Sequence, residues 1–211
     1  MEYSKEWAEI VELQQHTKNL ILIAEEYDLN WNDYLQPFLE QRSALDHICR
    51  TMAVKTGINK DGSDGEAYEN LNKAKGHLYR AFFDTADWLS TRFRSLIIEE
   101  GSSYNSDCIK KAIPNYYSDI PPDIQKINTK IADIRNNKDI ASQTGTINQV
   151  NEYNNLIDKL RGYYEIIIEA KESLEELKNE QRRKSWKSII IQIVVGLLIA
   201  VVGTIVGAVF L

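Results

Sequence analysis

Apolar residues recur at three- and four-residue intervals along nearly the whole chain, and that spacing predicts an all-α fold. In the first segment Trp7, Ile10, Val11, Gln14, Thr17, Leu20, Ile21, Ala24 and Tyr27 keep the interval, with Ser4 placed to cap the helix. Residues 28–32 break the pattern. A second helix is expected from near Pro37 to about Lys55, carrying Phe38, Leu45, Ile48, Cys49 and Met52 on its inner face. The stretch TGINKDGSDG, Thr56 to Gly65, reads as a loop. A third helix is expected from Glu66 to about Glu99, with Leu71, Ala74, Leu78, Phe82, Ala86, Leu89, Phe93 and Leu96 inward and Gly76 as a candidate bend. Gly101 to Asp107 reads as another loop. Cys108 to Ile113 reads as a short helix stopped at Pro114.

The second half is more regular. Ile120, Ile124, Ile127, Ile131, Ile134, Lys138 and Ala141 alternate fours and threes, with Pro121 and Pro122 in the expected first turn. After a turn at Gln143 to Thr146, a heptad seam runs through Tyr153, Leu156, Leu160, Tyr163, Ile167, Ala170, Leu174, Leu177 and Gln181. No Gly or Pro interrupts the residues from Tyr163 to Ile189, so one helix is expected from about Ile147 onward. Its seam is expected to lie mainly against the 120–141 helix in an antiparallel hairpin, or against the same helix of a second subunit. Three regions result: a helical sensor bundle over 1–118, a hairpin and stalk over 119–188, and an apolar segment over 189–211.

That last segment, IIIQIVVGLLIAVVGTIVGAVFL, carries no charge, and Gln192 and Thr204 are its only polar side chains. As a helix it would be about 35 Å long, enough for a hydrocarbon core of about 30 Å, so a transmembrane helix is expected. Just before it, Lys178 to Lys187 holds five cations against Glu180, with Trp186 where an interfacial aromatic belongs. Positive flanks stay cytoplasmic, which implies a single-pass, tail-anchored protein of the inner (cytoplasmic) membrane with its N-terminal domain in the cytosol. The same cations suit anionic lipid head groups. Gly196, Ala200, Thr204 and Ala208 lie four apart, and Gly203 and Gly207 form a GxxxG. Together they form a small-residue face of the kind that lets membrane helices associate. Packing or pore-lining roles would fall to Gln192, Gly196, Ala200, Gly203, Thr204 and Gly207.

Charge changes the picture only locally. The chain has a net charge of −6, so with a basic flank the remainder is strongly acidic and a broad nucleic-acid surface is excluded. Cys49 and Cys108 show no metal or CxxC spacing and fit a reducing compartment. No P-loop, HExxH or GxSxG is present, and the Asn59 to Asp64 loop lacks the glycine and glutamate of a calcium site. Neither a metal nor another cofactor is expected.

The recurrent polar pattern is HxxR. RSALDHICR supplies Arg42, Asp46, His47 and Arg50; KGHLYRAFFD supplies Lys75, His77, Arg80 and Asp84. Residues three apart share a helix face. Arg42 with Asp46, and Arg80 with Asp84, are spaced to pair within their helices. If the two helices pack antiparallel, the cations converge, and Arg42, His47, Arg50, Lys75, His77 and Arg80 become a candidate phosphate-binding set. A structural His–Arg–Asp network is the alternative. Arg42-x4-His47 also resembles the RxxxxH signature of HEPN-type ribonucleases, which implies a catalytic pair, although Ser43 stands where that family usually has Asn, Asp or His. Residues five apart point about 140° away from each other on one helix.

RSALDHICR and KGHLYRAFFD, joined to a stalk and a small-residue terminal helix, resemble the membrane effectors of Hailong-type antiphage defence. The resemblance covers the architecture of the chain and, at residue level, those two segments. It implies a non-enzymatic homo-oligomer, such as a tetramer, forming an ion channel that depolarises the inner membrane in abortive infection. A nucleotidyltransferase partner would make the nucleotide or short oligonucleotide signal, with His47, Arg50, His77 and Arg80 as its site. A membrane-tethered ribonuclease and a passive tail-anchored scaffold are the competing expectations.

Overall fold

The computed structural model describes residues 3–27, 35–137 and 147–210, with side chains described as far as Ala200. The described residues form seven helices and no strand: α1 (Ser4–Tyr27), α2 (Gln36–Lys55), α3 (Asp64–Ser102), α4 (Ser106–Ala112), α5 (Tyr116–Asn137), α6 (Ile147–Glu169) and α7 (Lys171–Phe210). The all-α expectation holds. The expected turn at 143–146, with Lys138 and Ala141, lies outside the described residues.

Local chemistry explains the ends. Pro37 occupies the first turn of α2, where a missing N–H costs nothing. Past Lys55 the chain turns through Gly57 at φ +72°, a left-handed conformation that a Cβ disfavours. Ser63 caps α3 by accepting from the Glu66 N–H at 3.2 Å, with Asp64 and Glu66 favourably placed at the positive end of the helix. Asn105 caps α4 through the Cys108 N–H at 2.9 Å. α5 starts earlier than expected, at Tyr116, so Pro121 and Pro122 lie inside the helix and not in its first turn.

α3 is the central element. Its eight expected inward residues are all buried, and so are Ala67, Tyr79, Ala81, Phe83 and Ile97 on its other sides. Gly76 is buried, and the helix runs unbroken through it. α1 and α2 pack on α3, and α6 packs on it as well. One contiguous apolar core links residues from α1 to the start of α7. Phe82 and Phe83 meet edge to face at 5.3 Å, and both contact the Tyr153 ring of α6.

Three expectations change. First, α2 is rotated: Leu45 is 58% exposed and Met52 46%, Cys49 is exposed, and Ala44 and Thr51 are the residues buried against α3. Small Ala44 and Thr51 allow a close approach, and Thr51 Oγ1 donates to the carbonyls of His47 and Ala67 at 3.0 and 3.1 Å. The polar stripe therefore faces α3, while Leu45, Cys49 and Met52 turn outward and Phe38 and Ile48 stay half-buried against the core. Second, the heptad helix lies mainly on α3, with α5 as the lesser partner. Tyr153 of α6 donates to Asp87 of α3, which also accepts from Arg135 of α5 at 2.7 Å, and Tyr163 donates to Asp123 of α5 at 2.7 Å. Third, the helix from Ile147 is interrupted at Ala170. The bonds Ala170 N–H to Ile166 and Leu174 N–H to Ala170 bracket the interruption. Beyond it α7 docks by buried Leu174, by Tyr104 donating to Glu175 at 2.8 Å, by Lys171 with Glu100 at 3.1 Å, and by Asn105 with Gln181.

Past Gln181, α7 leaves the bundle. Its large apolar side chains from Ile189 to Ile199 are 44–67% exposed. Among the described residues no helix is long and apolar enough to cross a membrane.

The rotation of α2 is testable by paired substitutions. Leu45→Ala is expected to change unfolding free energy by no more than about 0.5 kcal/mol, whereas Ala44→Leu costs roughly 1–3 kcal/mol through overpacking against α3. Denaturant unfolding of both variants followed by circular dichroism checks this. The reverse order would place the apolar row inside.

Candidate functional site

The polar stripe of α2 makes the one place where the two HxxR segments meet. Glu40, Ala44, His47 and Thr51 recur at four, three and four residues, so they line the side facing α3. From α3, Asn70, His77 and Arg80 face them. His47 and His77 stack with ring centroids 5.3 Å apart and planes 20° apart. His47 Nδ1 bonds Asn70 Oδ1 at 2.8 Å, and Asn70 Nδ2 in turn donates to the Glu66 carbonyl at 3.0 Å. Glu40 is the hub: its Oε2 lies 2.7 Å from His77 Nδ1 and 2.9 Å from Arg80 Nε, and its Oε1 accepts from Gln36 at 3.1 Å.

Burial by itself raises the Glu40 pKa, but the hydrogen bonds and charges of His77 and Arg80 outweigh it and hold the carboxyl below its ordinary value. The carboxylate is therefore the working form, and it balances the cationic side of the cluster. His77 Nδ1 is also 2.6 Å from an Arg80 terminal nitrogen. One ring nitrogen cannot fill both roles. With a proton it donates to Glu40; without one it accepts from Arg80. Arg80 is held on Glu40 through Nε, and its side chain is 34% exposed. The cluster thus sets a carboxylate, a stacked imidazole pair and a guanidinium edge side by side between α2 and α3.

Of the six expected residues, His47, His77 and Arg80 come together. Arg50 pairs with Asp46 at 2.8 Å on the outer surface, displacing the expected Arg42–Asp46 pair. Lys75 turns to α1, bonding Glu9 at 3.2 Å beside Tyr79, which donates to the same carboxylate at 2.6 Å. Arg80 pairs with Glu40 at 2.9 Å. Arg42 lines a groove between α1 and α2, on a different side of the helix from His47, which bonds α3. The five-residue spacing dictates that separation. Glu40 and Asn70 were not anticipated, although Glu40 shares the face of His47 seven residues on and was legible from that interval.

Gln192, Gly196 and Ala200 lie along the exposed part of α7. A Cβ on Gly196 would meet no atom within 4 Å. Gly203, Thr204 and Gly207 fall within the α7 backbone, with side chains outside the described residues. Among the described residues no group of His, Cys, Asp and Glu is disposed to hold a metal ion. No family model matches this chain, and neither a curated protein nor a solved structure matches it significantly.

Because the Glu40 pKa is depressed by folding, its contribution to stability is present above the ordinary carboxylate range and is lost as pH falls through the folded value. Unfolding free energy measured across the acid range is expected to drop less steeply in Glu40→Gln than in wild type. Parallel acid limbs would show that Glu40 is not a charged hub.

Proposed function

We propose that this protein is a non-enzymatic, ligand-controlled membrane effector of the Hailong-type antiphage class that its two HxxR segments resemble. The observation that carries the reading is α7. It is one helix from Lys171 to Phe210, so the residues that dock it on the bundle, Leu174, Glu175 and Gln181, are joined without a break to the apolar run. A shift in the bundle is then transmitted as a tilt or rotation of that run. The run's full sequence, Ile189 to Leu211, is uncharged and long enough as a helix to span, and the basic flank orients the bundle to the cytosol. Copies would associate through the small-residue face containing Gly203 and Gly207, forming a homo-oligomeric channel through the inner membrane.

The signal in this reading is a nucleotide or short oligonucleotide from a nucleotidyltransferase partner. Its phosphate would take the Arg80 edge and the paired imidazoles, competing with Glu40. A ligand shifts the equilibrium between closed and open states only by its differential affinity for them, and the exchangeable Glu40–His77–Arg80 contacts offer such a difference.

Potential-sensitive dye in expressing cells tests the reading. Wild type is expected to depolarise the membrane when the signal is mismatched, and Gly203→Leu or Gly207→Leu to abolish this at equal membrane abundance. His77→Ala and Arg80→Ala are expected to alter the trigger without altering abundance. Depolarisation that is unchanged in both glycine variants would refute the channel.

A further inference from the structure

α7 sorts the cations of Lys178 to Lys187 into two sets. Lys178 is engaged: its Nζ lies 3.6 Å from Glu175 and 4.9 Å from the centre of the Tyr104 ring. Lys184 stands 3.9 Å from Glu180, one turn back. Arg182, Arg183 and Lys187 are exposed and have no ion pair or hydrogen bond among the described residues. Helix geometry puts this second set on one face. At 3.6 residues per turn Arg182, Arg183, Trp186 and Lys187 fall within an arc of about 140°, and Trp186 is 62% exposed among them. The docking side of α7, with Leu174, Leu177 and Gln181, lies roughly opposite. The bundle therefore leaves the cationic face uncovered. A second copy of that face is a poor cover, because it would set like charges together.

Depth along the axis matches a membrane surface. Counting back from Ile189, where the apolar run begins, Lys187 stands about 3 Å away, Trp186 about 4.5 Å and the two arginines about 9–10 Å. The head-group layer on each side of a hydrocarbon core is about 5–8 Å deep, and charge acts across a Debye length of about 8 Å. With the run inserted, Trp186 and Lys187 lie within that layer, and the arginines reach it through their long side chains. An indole suits this level because its ring is amphipathic.

We propose that Arg182, Arg183, Trp186 and Lys187 form a face that selects anionic phospholipid head groups. The proposal rests on the reading of α7 as a membrane-spanning helix. Guanidinium forks match phosphate oxygens in pairs, and Lys187 adds a point charge closer to the apolar run. Lys178 and Lys184 already face carboxylates of their own helix, so they contribute little to the selection, although by sequence they are equal members of the basic segment.

The test uses the full chain reconstituted in phosphatidylcholine vesicles carrying a trace of spin-labelled phosphatidylglycerol or spin-labelled phosphatidylcholine. Electron spin resonance separates lipid held at the protein from bulk lipid and gives the relative association constant. Phosphatidylglycerol is expected to be favoured about fivefold, the order for one cation at an anionic surface, and the preference to shrink in about 1 M salt. The triple variant Arg182→Gln, Arg183→Gln, Lys187→Gln is expected to bring the two lipids close to parity, while Lys178→Gln with Lys184→Gln keeps most of the preference. Equal association of both lipids with the wild type would overturn the proposal, and so would equal loss in the two variants, which would mean bulk charge and not a face. An alkaline carbonate wash of the same vesicles separates this proposal from the reading beneath it. A chain that is retained but shows no preference removes the lipid face alone; a chain that is extracted removes the spanning helix and the face with it.

Discussion

Burial on more than one side of α3 is the constraint from which the rest of the structure follows. A helix of 39 residues that is apolar over so much of its circumference cannot be satisfied by one neighbour. Exposing Phe82, Phe83, Leu89 and Phe93 would forfeit about 1.5–3 kcal/mol for each side chain. α1 and α2 take one side and α6 another, and the phase of each is set by what α3 offers along that line. Where α3 presents Phe82 and Phe83, α6 answers with Tyr153. Where it presents His77 and Arg80, α2 answers with the Glu40 carboxylate, and where it presents the Asn70 amide oxygen, His47 answers as a donor through Nδ1.

That exchange has two consequences on opposite sides of α2. Inward, a carboxylate, two imidazoles and a guanidinium share a small space in which one proton decides which bonds can coexist. Glu40 is its centre, accepting from Arg80 and Gln36 and lying within hydrogen-bond distance of His77. Outward, Leu45, Cys49 and Met52 are left exposed. The polar cluster and this exposed row are two results of one choice of helix phase.

α7 couples this bundle to whatever surrounds its far end. Its attachment is mixed in character: Leu174 is buried, while Tyr104–Glu175, Lys171–Glu100 and Asn105–Gln181 are polar and partly open. An exposed ion pair such as Lys171–Glu100 contributes only about 0–1 kcal/mol, so the apolar contacts of Leu174 and Leu177 carry much of the attachment. The interruption at Ala170 lies just before these contacts, with helical hydrogen bonds on either side of it.

Periodicity alone determined the helical class, the order of the elements and nearly all of the α3 core, because burial on the dominant helix follows directly from where large apolar residues recur. It also determined that Arg42 and His47 point apart and that His47 and His77 could share a side with Arg80. The phase of α2 was not legible, since its apolar row and its polar stripe are both continuous and only the surface of α3 selects between them. The interruption at Ala170 and the preference of α6 for α3 over α5 were likewise decided in three dimensions. A heptad seam states that a face will be covered; it does not name the partner, and here the larger apolar surface of α3 prevailed over the nearer hairpin.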